Sequence, residues 1–460
     1  MPVWRAGRQK PQGAVQNEVS APGRRADHGK RASIEGTNRM IDVASRPPAG
    51  SRSWFENPDH RDWLRREAEA LFAFFEAASL DPRGGFHQLD DLGLPLAGET
   101  ERALHATSRM VHCYAIGQLL GRPGAADLVD HGMEALIGRH RDGKHGGYFW
   151  SFDAEGARET SKLAYGHAFV LLAAASAKCV GHPRADWLIA DVSDILEAKF
   201  WETAQGVSAD EFAADWSPFS AYRGQNSNMH LVEALMAAFE ATGEKSYLVK
   251  AESIADFFLR RSAAANGWRV PEHYHGDWTV DRHYKGSDVF RPSGTTPGHS
   301  LEWARLALQL WRLGERRLDW LPGAAKALFS EATASGWDER GGFYYTLDWR
   351  GAPSIRDRLW WPCCEGIGAT AFLHGLEAAP TFETWYRRIW DFAARNLIDR
   401  RMGGWRPQLG DDLSPKRGYF VGKPDIYHAL QACLIPLYPT NASLTHEIAK
   451  ASQDQSNLSR

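Results

Sequence analysis

A glycine–aromatic signature returns along this chain at nearly constant spacing, and it limits the fold more than any other feature. It stands at Gly84-Gly85-Phe86, Gly146-Gly147-Tyr148, a weaker Gly206-Val207, Gly267-Trp268, Gly341-Gly342-Phe343 and Gly403-Gly404-Trp405. Successive sites lie 62, 60, 61, 74 and 62 residues apart. Self-similarity at a fixed period means one supersecondary unit repeated, in which no copy buries its apolar face alone.

Helical periodicity fills the gaps the same way each time. An apolar-striped helix precedes each signature, at about 59–79, 126–141, 185–200, 246–265, 318–335 and 382–400. A longer loop and a second helix follow, at about 101–121, 162–180, 226–242, 297–313, 361–378 and 422–436. Helices of the first set carry charge on one face, as in Asp62-Trp63-Leu64-Arg65-Arg66-Glu67, and suit an outer ring. Those of the second set are apolar nearly all round, as in Ala168-Phe169-Val170-Leu171-Leu172-Ala173, which requires burial on both sides. Six such pairs predict an all-α, double-walled (α/α)6 barrel, a single domain over residues 53–438. Residues 1–52, rich in Arg, Gly, Pro and Ser without apolar periodicity, read as a disordered extension, and 439–460 as a flexible tail.

Composition removes several classes of function. The 54 Lys+Arg against 57 Asp+Glu leave a net charge of -3, which gives neither nucleic acid nor an anionic membrane the basic surface it needs. No apolar run approaches the roughly 18 residues of a membrane span. Five scattered Cys and no signal-peptide pattern at the start make reduced thiols in a cytoplasm the expectation. Nineteen Trp and thirteen Tyr serve a core, but their flat faces also stack on the C–H faces of sugars.

A closed ring of parallel inner helices gathers six N-termini at one mouth, where free N–H groups and the helix dipoles favour negative charge. The first turns of these helices carry polar residues unusual for such apolar segments. They are Arg109 and His112, Tyr165 and His167, Asn226 and His230, His299 and Glu302, Trp361 and Glu365, and Asp425 and His428. A core has no reason to hold costly polar groups at one level, so a functional site is expected there. Thr296 and Pro297 open one helix and place His299 and Glu302 at i, i+3, so Glu302 is expected to orient His299 for proton transfer. His428 faces the same cavity, and two imidazoles across a pocket suit general acid–base work. A loop cluster of Glu272, His273, His275, Asp281 and His283 is too loose a pattern for a metal site and reads as ordinary loop. No phosphate-binding Gly loop or nucleophile elbow is present.

The segments Ser108-Arg109-Met110-Val111-His112, Lys162 to Phe169, Tyr222 to His230, Phe290-Arg291-Pro292 with Thr296 to Trp303, and Gly422 to His428 carry a resemblance. Together they are similar to the N-acylglucosamine 2-epimerase family, most of all to its aldose–ketose isomerases, from about Trp54 to Leu437. The resemblance implies an (α/α)6 barrel and no metal or other cofactor. It makes His299 and His428 the acid–base pair, with Glu302 supporting His299 and His230 near the reacting carbons. Arg109, Tyr165, Asn226, Arg291, Trp361, Glu365, Gln408 and Asp425 would line a monosaccharide site. The implied reaction converts an aldose to its 2-ketose through a cis-enediolate, for mannose or a 6-sulfonated analogue, the latter suggested by Gln408. The alternative is 2-epimerisation, with the two histidines on opposite faces of C2. A carboxylate-based glycosidase and a non-catalytic sugar-binding barrel fit the histidines less well. A homo-oligomer is compatible with the sequence.

Overall fold

The computed structural model describes residues 52–287 and 291–458, with side chains through residue 454. The expected disordered extension falls almost wholly outside these residues. Thirteen α-helices form the described chain's framework: α1 (Pro58–Glu76), α2 (Leu104–Leu119), α3 (Ala125–Ala135), α4 (Ala164–Cys179), α5 (Ala185–Ile195), α6 (Gln225–Thr242), α7 (Lys245–Ala255), α8 (Pro297–Leu313), α9 (Leu321–Gly336), α10 (Trp360–Leu376), α11 (Pro380–Phe392), α12 (Tyr427–Leu434) and α13 (Leu444–Leu458).

The even-numbered helices form the inner ring: α2 packs on α4, α4 on α6, α6 on α8, α8 on α10, α10 on α12, and α12 closes onto α2. Each of α3, α5, α7, α9 and α11 backs the inner helix before it, whereas α1 backs α12, so the two ends of the repeat array pair to shut the barrel. Arg61 of α1 fastens this seam by donating to the carbonyls of Pro436 and Leu437. Composition explains the layering. From Ala164 to Ala177 every residue of α4 is buried except Tyr165, which turns to the cavity, whereas α11 buries the stripe Phe382, Tyr386, Ile389, Trp390 and leaves its other face polar.

Four outer helices end in π-helical turns, at Leu136–His140, Leu196–Phe200, Asp256–Ala263 and Ala393–Leu397. The wider turn re-aims the backbone into the glycine–aromatic hairpin that follows. Two-residue strands lead into four inner helices and pair with the corresponding loop of the next repeat: Arg102 with Phe152, Lys162 with Phe212, Arg223 with Tyr274 and Arg358 with Leu409. This belt fixes the mouth. At the opposite end, where a flexible tail was expected, α13 packs against α2, α4 and α6, with Ile448 1% exposed and Ser452 Oγ donating to the Leu119 carbonyl. Its apolar face finds cover on the barrel floor, which the polar composition of the tail did not reveal.

Candidate active site

A cavity of about 280 Å³ opens at the N-terminal ends of the inner helices, and all six contribute to its wall. From α2 come His105 and Arg109, from α4 Tyr165, from α6 Asn226 and His230, from α8 His299 and Glu302, from α10 Trp360 and Trp361, and from α12 His428, with Asp425 just before it. His299 and His428 therefore share one chamber. The Trp361 ring lies between them, 4.9 Å from the His299 ring and 6.0 Å from that of His428.

Each of these two imidazoles leans on a buried carboxylate through Nδ1. His428 Nδ1 is 2.7 Å from Glu365 Oε1, and His299 Nδ1 is 2.9 and 3.0 Å from the two oxygens of Glu272. With Nδ1 engaged, Nε2 is the ring nitrogen left to face the cavity. Burial pushes both carboxyls up, but this is outweighed for Glu272 by His299 and for Glu365 by Arg305 and His428, so both sit below the usual carboxylate range.

The expectation for Glu302 is thereby corrected. It lines the cavity one turn deeper than His299, and its near neighbours are His230 Nδ1 at 3.6 Å and Arg305 at 3.8 Å. Burial and the adjacent Glu365 charge push its carboxyl well up, beyond what Arg305 offsets. His230 is held down to about 4, chiefly by burial, and is a neutral imidazole. Beneath these groups Arg305 bridges Glu365 and Glu233, and the Tyr427 hydroxyl donates to Glu233. Arg109 donates to Asp425 (2.8 Å) and to the Tyr165 hydroxyl (2.9 Å), with its guanidinium over the Phe169 ring at 4.4 Å. Asn226 lines the chamber, and its Oδ1 is buried without a hydrogen-bond partner among the described residues.

Three expected lining residues are not on the cavity wall. Glu365 stands behind His428. Arg291 is bound to Glu211 at 2.6 Å and stacks over Tyr222. Gln408 is buried between Asp357 and the Tyr419 amide, its side chain used to tie two loops together. Conversely, Glu272, Gln225 and the Arg305–Glu233 pair were not singled out from the sequence as parts of this site. Glu272 had one local signal: an acidic residue directly before a two-residue strand of the mouth, as Asp210 also is, with Asp210 accepting from Gly224 N at 2.7 Å and Glu272 from Thr296 N at 3.1 Å.

A closed helical chamber with two carboxylate-backed imidazoles, a buried guanidinium and neutral donors is built to move protons on a small polar molecule. The sequence matches the family described as N-acylglucosamine 2-epimerase (GlcNAc 2-epimerase) over residues 84–432. It is 42% identical over 406 residues to a D-mannose isomerase of Pseudomonas cannabina pv. alisalensis, covering 86% of this chain and 97% of that protein. It is also 42% identical to a D-mannose isomerase of Thermobifida fusca, covering 86% and 98%. A crystal structure of a D-mannose isomerase superposes with a TM-score of 0.78 at 32% identity over 84% of this chain and 99% of that one. The chain belongs to the N-acylglucosamine 2-epimerase family, and it is an isomerase. Among the described residues no helix is long and apolar enough to cross a membrane.

Proposed function

We infer that the enzyme interconverts a free aldose and its 2-ketose, with mannose and fructose the first pair to test, by proton transfer between C2 and C1. The observation that carries this reading is the pair of imidazoles, each held through Nδ1 by a carboxylate and both facing one chamber across Trp361. His299 Nε2 takes the anomeric hydroxyl proton and returns one to the ring oxygen, which opens the pyranose. His428 Nε2 then removes the C2 proton, and the electron pair shifts onto the carbonyl oxygen to give a cis-enediolate. The neutral His230, Arg109 and the converging helix N-termini stabilise that oxyanion, a preorganised effect worth several kcal/mol. His428 delivers the proton to C1 while the O2 proton passes to O1, which leaves a carbonyl at C2 and a hydroxyl at C1. The chemistry calls for no metal, nucleotide or redox cofactor.

The charges on the wall favour an uncharged sugar. Its cations Arg109 and Lys423 already hold Asp425 and Asp399, at 2.8 and 2.7 Å, and Gln408 lies outside the chamber, which removes the support for a 6-sulfonated substrate. Epimerisation at C2 is the second reading, favoured by the placement of both imidazoles on the same chamber; it would require each to reach C2 from its own face. A cytoplasmic setting agrees with five free thiols. Incubation with mannose, lyxose, glucose and a 6-sulfonated hexose in deuterium oxide, with product analysis, separates these readings. Fructose carrying partial deuterium at C1 is expected from mannose, and His428→Ala is expected to lower kcat by about 10²- to 10⁴-fold. A C2 epimer as the main product, or retained activity in His428→Ala, would overturn the assignment.

A further inference from the structure

The inner ring holds a row of buried side chains that ends on His299 and that the proton-transfer scheme does not itself use. Trp303 Nε1, on α8, donates to Gln225 Oε1 at 2.7 Å. An indole N–H can only donate, so this contact identifies the oxygen of the Gln225 amide and leaves Nε2 pointing the other way. Gln225 Nε2 donates to Glu272 Oε2 at 2.9 Å; it also lies 2.8 Å from His299 Nδ1, but with Nδ1–H donated to Glu272 both nitrogens carry protons, so that approach is a contact and not a hydrogen bond. Glu272 in turn accepts from the backbone N–H of Thr296, so its carboxylate is anchored to the first turn of the helix that carries His299. Trp303, Gln225, Glu272 and His299 are 0%, 0%, 3% and 8% exposed, and the exposure of His299 is toward the cavity.

We propose that Gln225 is a positioning residue for His299: its amide, oriented by Trp303, holds the Glu272 carboxylate so that the imidazole proton stays on Nδ1 and the Nε2 lone pair faces the substrate. Two physical effects act together. The amide fixes the carboxylate in the ring plane, which keeps the tautomer unique. It also takes up part of the carboxylate charge through a hydrogen bond, so Glu272 stabilises the imidazolium without trapping it. No other residue of the row can replace it, because Trp303 offers one donor and no acceptor. Gln225 opens α6 and His299 lies on α8, so the row also couples two neighbouring repeats at the mouth.

The proposal rests on the acid–base role given to His299 above, and two readouts keep them apart. In Gln225→Leu, which keeps the volume and removes both polar contacts, kcat is expected to fall about tenfold to a hundredfold with KM nearly unchanged. The acid limb of the kcat/KM profile is expected to move to higher pH, because the freed carboxylate charge favours the imidazolium. Nitrogen-15 NMR of the ring, assigned by loss of the signals in His299→Asn, should show a single Nδ1–H tautomer in the parent and a mixture in the variant. An unmoved acid limb together with an unchanged tautomer in a folded Gln225→Leu would overturn the proposal. Should that variant not fold, Gln225→Glu retains the acceptor for Trp303 and sets a second acidic group against Glu272; its acid limb must also move upward, and an unshifted limb overturns the proposal equally. If the parent shows no exchange at C2 of any sugar, the functional reading fails, and the NMR tautomer still decides the role of Gln225.

Discussion

Glu302 and Glu365 are both buried in the same ring of charge below the cavity, 1% and 2% exposed, yet their surroundings push their carboxyls in opposite directions. Arg305 and His428 hold the Glu365 carboxyl down, whereas burial and that very charge push Glu302 up. Gln is an isostere of a protonated Glu and not of a carboxylate, so the two changes should part company. Glu302→Gln is expected to keep stability within about 1 kcal/mol of the parent in urea denaturation. Glu365→Gln strips the anion from Arg305 and His428 and is expected to cost about 3–5 kcal/mol, with a kcat loss as His428 loses its orienting partner. Equal losses in the two variants would show that Glu302 is ionised. The same pair shows where local spacing stops being informative. Position i, i+3 does place Glu302 on the His299 face, but helical side chains lean toward the N-terminus, so His299 reaches up to Glu272 while Glu302 lies a turn below. The true partner is 27 residues earlier in the chain, and only the fold brings it there.

At the scale of elements, the repeat was legible because its hairpins leave a stereochemical mark. Gly341 and Gly342 have φ of 105° and 80°, a region that L side chains rarely enter, before Phe343 folds back in a bridge to Trp337. Apolar periodicity gave the helices on either side for the same reason: one face of each must be dry. The π-helical ends and the two-residue strands carry no such mark, since neither imposes a side-chain pattern. Nor did the sequence around Gln408 and Arg291 announce that those side chains are engaged away from the cavity wall. A Cβ at Gly342 would come within 2.6 Å of both Phe392 and Arg358, whereas Gly124, at φ 75°, has open space. Gly342→Ala is therefore expected to cost well over the ~1 kcal/mol of a left-handed alanine that Gly124→Ala incurs. Urea midpoints of the two variants measure the difference, and similar midpoints would mean that the hairpin can yield.

For the whole molecule, the barrel followed from self-similarity, and its closure did not: no local pattern says that α1 backs α12 or that α13 caps the floor. The closed core has a consequence for acid stability. Burial is the main reason that His60, His105, His140 and His167 are held down to about 3, and His112 and His230 to about 4. His167 shows the mechanism, since its Nε2 accepts from the Tyr148 amide and its Nδ1 faces the Leu163 carbonyl; a second ring proton would break the first bond. As pH falls below about 6.5, the unfolded chain protonates these six rings and the folded chain does not, so stability is lost downward. Buried acids work the other way. Asp210 and Glu240 are pushed up to about 7 by burial and Glu302 well up, so the folded state takes protons that the unfolded chain refuses until about pH 4.5. The lowered imidazoles outnumber the raised carboxyls, so stability is expected to fall as pH drops from roughly 6 to 4.5. Urea unfolding at half-unit intervals across that window should show this decline, and a net proton uptake should accompany unfolding. His167→Gln, which removes one of the six rings, should reduce the slope by about 1.4 kcal/mol per pH unit. A stability that is flat from pH 7 to 5 would mean that the rings carry protons inside the fold, and with them the neutral His230 on which enediolate stabilisation depends would be lost.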